Sequence, residues 1–162
     1  MHEGLLELLT CTQCGGAFAS EPDSIRCEGC GRTCEVAHGI PDLRPEPPDR
    51  PRHGEHCRKL MALWSDHSYR ELFDVHFPRD DDALIRLRHE HEEVAPQRGE
   101  RRWNEIGIAT GAKGLVVPEN GVALDIGCGL GSGLFALARH AGLAIGLDIL
   151  LSDLLIAKKR FA

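Results

Sequence analysis

The chain has few aromatic residues, and it lacks both a long hydrophobic run and a strongly basic region. Aromatic side chains make up 5% of its 162 residues, so any hydrophobic core must be mainly aliphatic. No run approaches the roughly eighteen apolar residues of a membrane-spanning helix. A net charge of −6 provides no basic footprint for nucleic acid. These absences argue against a membrane protein and weaken the prediction of an RNA or DNA substrate.

The first residues, MHEGLLELLTC, also lack a positively charged region followed by a long apolar stretch. No secretory signal is therefore expected, and we predict a cytoplasmic protein. In that compartment the seven cysteines are more often reduced, metal-bound or buried than joined in disulfides.

Composition divides the chain into four parts. Residues 1–44 hold most of the cysteines, and residues 45–54 form a proline-rich linker that resists both helix and central strand. Residues 55–114 have modest helical periodicity, which predicts a helical connector or cap. Residues 115–162 alternate between strand and helix patterns and predict part of an α/β domain.

Four cysteines form two CxxC units that twelve residues separate, and a glycine follows each unit. Glycine permits the tight turn in which backbone amides approach the sulfur atoms. Two such units can place four thiolates tetrahedrally around Zn²⁺, so the sequence predicts a structural zinc site. An iron–sulfur or redox dithiol site is the alternative. The predicted ligands are Cys11, Cys14, Cys27 and Cys30.

Other nearby residues could also bind metal. Cys34 and His38 are alternative zinc ligands, but the paired CxxC set already satisfies zinc, and we expect these two residues to pack against the turns. His53, His56 and Cys57 have a spacing that would suit a second metal site. Their position after the linker favours a solvated helix start instead.

A glycine-rich loop follows a short apolar strand at Val122 to Ile126. Gly127, Gly129 and Gly131 allow close approach of the backbone to a ligand, and the following helix offers its N-terminal amides. A second strand, Leu143 to Asp148, ends in an acid, and this order of strand, loop, helix and strand predicts a nucleotide-cofactor site. The alternative is a tight turn in another α/β fold.

Two helices are expected around these strands. The first is predicted from Gly131 to Ala141, with Gly142 as its C-cap. The second is predicted to end at Phe161 and to be capped by Ser152. Cys128, inside the glycine loop, is expected to be a packing residue rather than a nucleophile.

The acid that precedes the loop favours one cofactor over another. A dinucleotide fingerprint requires glycine where this chain has Ser132, so an NAD site fits imperfectly. Asp125, two residues before the first glycine, resembles motif I of class I S-adenosylmethionine-dependent methyltransferases, and Asp148 resembles their acidic ribose-binding position. The resemblance implies that the loop receives the methionine part of the cofactor, that Asp148 accepts hydrogen bonds from the ribose, and that Ile149 lies near the adenine. The implied cofactor-binding residues are Asp125, Gly127, Gly129, Gly131, Asp148 and Ile149.

The N-terminal segment carries a second resemblance to the same enzymes. The stretch LLTCTQCGGAF, continued by IRCEGCGRTCEVAHGIPDL, resembles the zinc ribbon of many bacterial methyltransferases and of small activator proteins of tRNA methyltransferases. The chain departs from that pattern at Cys34 and Glu35, where an aromatic residue and a proline are usual. The predicted ligands are unaffected.

Together the two resemblances imply an α/β protein with an N-terminal zinc ribbon, a helical connector and the first β-α-β-α part of a Rossmann-like methyltransferase sheet. We expect the chain to be truncated after the second strand, because such a sheet needs further strands. Activity of the chain alone is therefore doubtful, and self-association or a second polypeptide would complete the sheet. The methyl acceptor is expected to be a small molecule or RNA, and no catalytic residue can be named. Alternatives are a non-enzymatic zinc-binding adaptor that stabilises a separate methyltransferase, and a fragment of an NAD-dependent enzyme.

Overall fold

The computed structural model describes residues 3–45, 53–89, 91, 101 and 120–162. The chain forms two compact units, Met1–Trp64 and Ser65–Ala162. Most of the predicted linker and the second half of the predicted connector lie outside the described residues. The division into four parts therefore stays a prediction.

The first unit is a small antiparallel sheet flanked by short helices. Four short strands pair in the order β1-β2-β3-β4 and form a curled sheet, with Ile25 of β2 opposite Cys34 of β3. The elements of this unit are α1 (Glu3–Leu8), β1 (Phe18–Glu21), β2 (Ser24–Cys27), β3 (Thr33–Ala37), β4 (Ile40–Pro41) and α2 (Glu55–Leu63).

A small apolar cluster lies inside the curled sheet. Alternate residues of the strands point inward, as the two-residue period of a strand requires, and Ile25 is fully buried. A core of this size supplies little stability by itself, and small domains usually add a metal or disulfides. The buried members of the cluster are Cys11, Phe18, Ile25, Cys27 and Cys34.

A turn between β3 and β4 holds α2 against the sheet. His38 has a positive φ of 48°, and its ring stacks on Trp64 with 4.7 Å between ring centroids. The Nε2 atom of His38 also lies 2.8 Å from the carbonyl oxygen of Met61. His38 is therefore a packing residue at this turn.

Two charged residues that follow β4 lie beside the ring of His53. Arg44 donates to the buried carboxylate of Asp42 through Nε at 2.9 Å and through a terminal nitrogen at 2.6 Å. The side chain of His53 is 9% exposed, and its Nε2 atom lies 3.6 Å from Glu35 and 3.9 Å from Asp42. A helix begins at Glu55, as predicted, but the side chain of His53 just before it is buried rather than solvated.

The second unit combines helices with a pair of parallel strands. β5 and β6 run parallel in a two-stranded sheet, with Asp125 opposite Gly146. This arrangement is mixed α/β. Two parallel strands are not enough to show the Rossmann-like sheet expected from the sequence. The elements are α3 (Tyr69–His76), α4 (Asp82–His89), β5 (Val122–Ile126), α5 (Ser132–Leu137), β6 (Leu143–Leu147) and α6 (Leu151–Phe161).

Helices α3 and α6 form the core of the second unit. Leu72 and Phe73 of α3 and Leu155 and Ile156 of α6 are fully buried. Ser68 begins α3 with a capping box, in which its hydroxyl accepts from the Glu71 amide and the Glu71 carboxylate accepts from the Ser68 amide. Capping and burial together fix this helix.

The boundaries of α5 and α6 differ from those predicted. α5 ends at Leu137 instead of Ala141. Leu150 is the N-cap of α6, and its amide donates to the Asp148 carboxylate at 2.9 Å. Ser152 does not cap this helix, because its hydroxyl donates to the side chain of Asp153 inside the first turn.

One face of β5 is apolar and open to solvent. Val122, Leu124 and Ile126 alternate along the strand and are 53%, 51% and 78% exposed. Three exposed aliphatic side chains in one row are typical of a surface that another element covers. None of the described helices combines the length and the apolar character that crossing a bilayer requires.

The core of the first unit yields a stability prediction. We expect Ile25→Ala to lower the free energy of unfolding by about 2–5 kcal/mol, because it leaves a cavity in a small core. Arg26→Ala, at the neighbouring exposed position, should change it by less than about 0.5 kcal/mol. Urea denaturation with saturating zinc measures both values. Equal effects of the two substitutions would contradict the assigned core.

Candidate metal centre and glycine loop

The two CxxC units have the same backbone conformation. The Gly15 amide donates to the Cys11 carbonyl at 2.7 Å, and the Gly31 amide donates to the Cys27 carbonyl at 2.9 Å. Both glycines have positive φ, 74° and 75°, a conformation that other residues rarely adopt. Each unit is therefore a tight turn that directs its pair of sulfur atoms to one side.

The four thiols converge at one point. The sulfur atoms of Cys14 and Cys27 are 3.4 Å apart, those of Cys11 and Cys30 are 3.8 Å apart, and all four lie within 4.8 Å of one another. A tetrahedral zinc site with Zn–S bonds of about 2.3 Å places its sulfur atoms about 3.8 Å apart. The cluster can therefore hold a zinc ion. Among the described residues, no other group of three or more potential ligands has such geometry.

Glycine backbones leave room for the sulfur cluster. A Cβ atom added at Gly16 would lie 3.1 Å from the Cys27 sulfur, and one added at Gly29 would lie 3.2 Å from the Cys14 sulfur. These separations are tighter than most real contacts of Cβ atoms. Larger residues at either position would crowd the thiolates.

Backbone amides favour the thiolate form of two cysteines. A hydrogen bond from the Gln13 amide lowers the pKa of Cys11 to about 6, and amide contacts also lower the pKa of Cys27. The Gly16 amide acts in the same sense on Cys14, but crowding by the neighbouring thiols outweighs it and raises the pKa of Cys14 to about 12. Four sulfur atoms this close cannot all ionise without a cation among them.

Arg32, which sequence reasoning did not single out, ties the cysteine units to the end of the sheet. Its guanidinium donates to the Thr12 hydroxyl at 2.6 Å and to the carbonyl oxygens of Leu43 and Arg44 at 2.9 and 3.1 Å. These hydrogen bonds join the second CxxC motif to the first and to the segment after β4. Its position directly after Gly31 was the one available signal.

In the second unit, the glycine loop begins where β5 ends. The amides of Gly127 and Cys128 both donate to the Leu147 carbonyl, at 2.8 and 3.0 Å. Gly127, Gly129 and Gly131 all have positive φ, 77°, 49° and 78°. A Cβ atom added at Gly127 would meet no atom within 4 Å, so the loop leaves open space beside its backbone.

Asp148, the acid at the end of β6, contacts this loop directly. Its Oδ2 accepts from the Gly129 amide at 2.8 Å, and its Oδ1 accepts from the Leu150 amide at 2.9 Å. The two sequence signals, a glycine loop and a distant acid, therefore meet in space. Ile149, the next residue, is 70% exposed and presents apolar surface beside the carboxylate.

Asp125 lies at the start of α5. A Cβ atom added at Gly133 would lie 2.5 Å from an oxygen of Asp125, so a larger residue there would displace this carboxylate. The carboxylate therefore rests on the first turn of α5, where negative charge is favourable. The roles of these residues in cofactor binding stay predictions.

Cys128 is buried within the loop. Burial, followed by the negative fields of Asp125 and Asp148, raises the pKa of its thiol to about 11. The sulfur also occupies the space beside Gly146, where an added Cβ would lie 2.7 Å from it. At neutral pH Cys128 is a protonated packing residue.

Asp153 lies near the loop and His76 lies beside it, and sequence reasoning missed both. The Nε2 atom of His76 lies 3.5 Å from Oδ1 of Asp153. Their pairing depends on the packing of α3 against α6, which brings together residues far apart in the chain. No local pattern signals such a pair.

Comparison with protein families, curated proteins and solved structures finds no match for this chain. The chemistry of both sites therefore has to be inferred from their own residues.

The cysteine cluster predicts metal dependence. The purified protein should contain roughly one zinc ion per chain, measured by plasma mass spectrometry. Cys11→Ser should lower zinc affinity at least about 100-fold, because three thiolates form an incomplete site. Removal of zinc from the unaltered protein by a chelator should abolish the part of the circular dichroism spectrum that the first unit contributes.

Cys57→Ser is the matched control, since Cys57 lies outside the cluster, and it should retain full zinc content. An equal loss of zinc from both variants would contradict the four-cysteine site.

Proposed function

We propose that this chain binds S-adenosylmethionine at its glycine loop and belongs to a methyltransferase, with a structural zinc ion in the N-terminal ribbon. One observation carries the proposal. The Asp148 carboxylate lies against the glycine loop and accepts from the Gly129 amide at 2.8 Å. An acid and a glycine loop at the carboxyl ends of adjacent parallel strands are typical of nucleoside-cofactor sites.

The described residues fit the adenosine part of this cofactor. A carboxylate offers about four acceptor positions, and the Gly129 and Leu150 amides occupy two of those on Asp148. The remaining two suit the two hydroxyls of a ribose. Ile149 offers an exposed side chain to a flat apolar base.

The residues of the glycine loop also fit the amino-acid part of the cofactor. Gly127 leaves open space beside its backbone, and close approach of unshielded backbone suits a zwitterionic tail. The cofactor would supply an activated methyl group. The task of the residues described here is to hold it in a fixed orientation, since proximity and alignment supply much of the rate of such transfers.

The zinc ion has a structural role in this proposal. Four protein ligands close the coordination sphere and leave no position for substrate. The apolar cluster of the first unit is small, so metal binding supplies much of its folding free energy. The methyl acceptor, a small molecule or RNA, would be bound elsewhere.

A binding titration tests the cofactor. Adding S-adenosylhomocysteine to ¹⁵N-labelled protein should shift the amide signals of Gly127 and Gly129, with a dissociation constant on the order of 10⁻⁴ M. Asp148→Asn should weaken binding at least about 10-fold. The side-chain amide of Asn would direct an N–H donor at a backbone N–H, which is itself a donor. Asp66→Asn, at an exposed position of the same unit, is the control.

Shifts confined to other regions would contradict the proposal, as would equal affinities of the two variants. Stronger binding of NADH than of S-adenosylhomocysteine would favour the dinucleotide alternative.

A second function, a non-enzymatic adaptor for a separate methyltransferase, has one observation in its favour. Val122, Leu124 and Ile126 expose a row of aliphatic side chains, as a docking surface would. The glycine loop has no purpose under this alternative.

Replacement of an exposed strand residue separates the two functions. If the chain is an adaptor, it should recover a methyltransferase at fixed stoichiometry from its source cell, and Leu124→Glu should abolish the recovery. If the chain binds the cofactor itself, Leu124→Glu should leave the affinity for S-adenosylhomocysteine within about 2-fold of the unaltered value.

A further inference from the structure

The four cysteines of the cluster differ in their exposure to solvent. Cys11 and Cys27, the first cysteine of each CxxC motif, are 2% and 1% exposed. Cys14 and Cys30, the second cysteine of each motif, are exposed residues. Oxidation of cysteine depends on exposure and on thiolate character, and metal binding requires all four residues to be thiolates. An oxidant in solution therefore meets the second cysteine of each motif first.

Each exposed cysteine lies beside a buried cysteine of the other motif. The sulfur atoms of Cys14 and Cys27 are 3.4 Å apart, and those of Cys11 and Cys30 are 3.8 Å apart. A disulfide bond needs sulfur atoms at about 2.05 Å, so each pair has to close by less than about 2 Å. Rotation about the Cα–Cβ bonds can supply this movement. Both pairs can therefore form disulfides without a large shift of the backbone.

Two glycines border the closer pair. A Cβ atom added at Gly16 would lie 3.1 Å from the Cys27 sulfur and 3.3 Å from the Cys14 sulfur. One added at Gly29 would lie 3.2 Å from the Cys14 sulfur. Because neither residue has a side chain, the two sulfur atoms can approach each other here without displacing one.

We infer that the cysteine cluster is an oxidation site, at which a peroxide forms the disulfides Cys14–Cys27 and Cys11–Cys30 and the site loses its zinc ion. The inference rests on the predicted metal centre and is independent of the proposed cofactor site. Both disulfides join the two CxxC motifs, as zinc would. The oxidised ribbon should therefore stay folded without its metal.

The exposed cysteine of each pair reacts first. Its thiolate attacks one oxygen of hydrogen peroxide and the O–O bond breaks, which gives a cysteine sulfenic acid and hydroxide. The thiolate of the buried partner then attacks the sulfenic sulfur, so that the S–S bond forms, the S–O bond breaks and a second hydroxide leaves. Two protons from solvent convert both hydroxides to water. The sulfur pair loses two electrons and the peroxide gains them.

The metal takes no part in the electron transfer. A disulfide sulfur carries no thiolate charge, so the oxidised cysteines no longer hold Zn²⁺, whose charge does not change.

The connectivity decides whether the ribbon survives the loss of zinc. The paired cysteines are 19 and 13 positions apart in the chain, so each disulfide closes a long loop and restricts the unfolded chain. Disulfides within each CxxC motif would close only short loops and would leave the two turns unlinked. Folding after oxidation therefore distinguishes the two connectivities.

Peptide mapping of the unaltered protein tests the connectivity. Trypsin cleaves after Arg26 and Arg32, so residues 1–26 carry the first motif and residues 27–32 carry the second. Zinc-loaded protein treated with a small excess of hydrogen peroxide should yield these two peptides joined, and fragmentation in the mass spectrometer should place the bonds at Cys14–Cys27 and Cys11–Cys30. A colorimetric zinc indicator should report release of about one ion per chain. Separate peptides, each with an internal disulfide, would overturn the inference.

Circular dichroism tests the predicted survival of the fold. The oxidised, zinc-free protein should keep the part of the spectrum that the first unit contributes, whereas reduced protein treated with a chelator should lose it. A dithiol reductant should then abolish this part of the spectrum in the oxidised protein, unless zinc is added back. Loss of the signal on oxidation itself would contradict disulfides between the motifs.

The order of reaction is measured with a probe that labels sulfenic acids. When the probe is present during oxidation, it should label Cys14 and Cys30 at least about 5-fold more than Cys11 and Cys27. Equal labelling would contradict the role of the exposed cysteines. Cys57→Ser is the control, since Cys57 lies outside the cluster, and it should release zinc within about 2-fold of the unaltered rate.

The outcomes separate this inference from the other two proposals. Absence of zinc from the purified protein would contradict the metal centre and the inference together. Zinc that peroxide does not release would contradict the inference alone. Failure of the chain to bind S-adenosylhomocysteine would contradict the proposed function and leave the expected disulfides unchanged.

Discussion

Backbone amides that point at anionic side chains organise both units of this protein. In the ribbon, the Gln13 amide donates to the Cys11 thiol. In the second unit, the Gly129 amide donates to Asp148. Both arrangements need turns whose N–H groups are not already hydrogen-bonded within a helix or a strand. Glycines with positive φ supply those turns. The same constraint therefore explains the turns of the cysteine cluster and those of the glycine loop, which share no fold.

The turns of the cysteine cluster and of the glycine loop were predictable from sequence because their signals are local. Two CxxC units with following glycines dictate a pair of identical turns, and the structure brings their four sulfur atoms together. The glycine loop and the strands around it were predicted at Val122 to Ile126 and near Leu143, and β5 and β6 lie there. The complete Rossmann-like sheet does not follow from two parallel strands.

What sequence reasoning missed depends on partners distant in the chain or on the residue at which a helix begins. The side chain of His53 is buried beside Asp42 and Glu35, and the guanidinium of Arg32 donates to three acceptors. Ser152 has the residue type of an N-cap, but α6 begins one residue earlier and the Ser152 hydroxyl donates to Asp153 inside the first turn. The Ser68 capping box has the sequence pattern S-x-x-E, and it marks the start of α3.

Asp148 combines a structural role with the binding role proposed for it. By accepting from the Gly129 and Leu150 amides, it links the loop, the end of β6 and the start of α6. These bonds orient its free acceptor positions before any ligand arrives, and a preorganised site loses less entropy on binding. They also bring α6 close to the loop, which places Asp153 opposite Gly129.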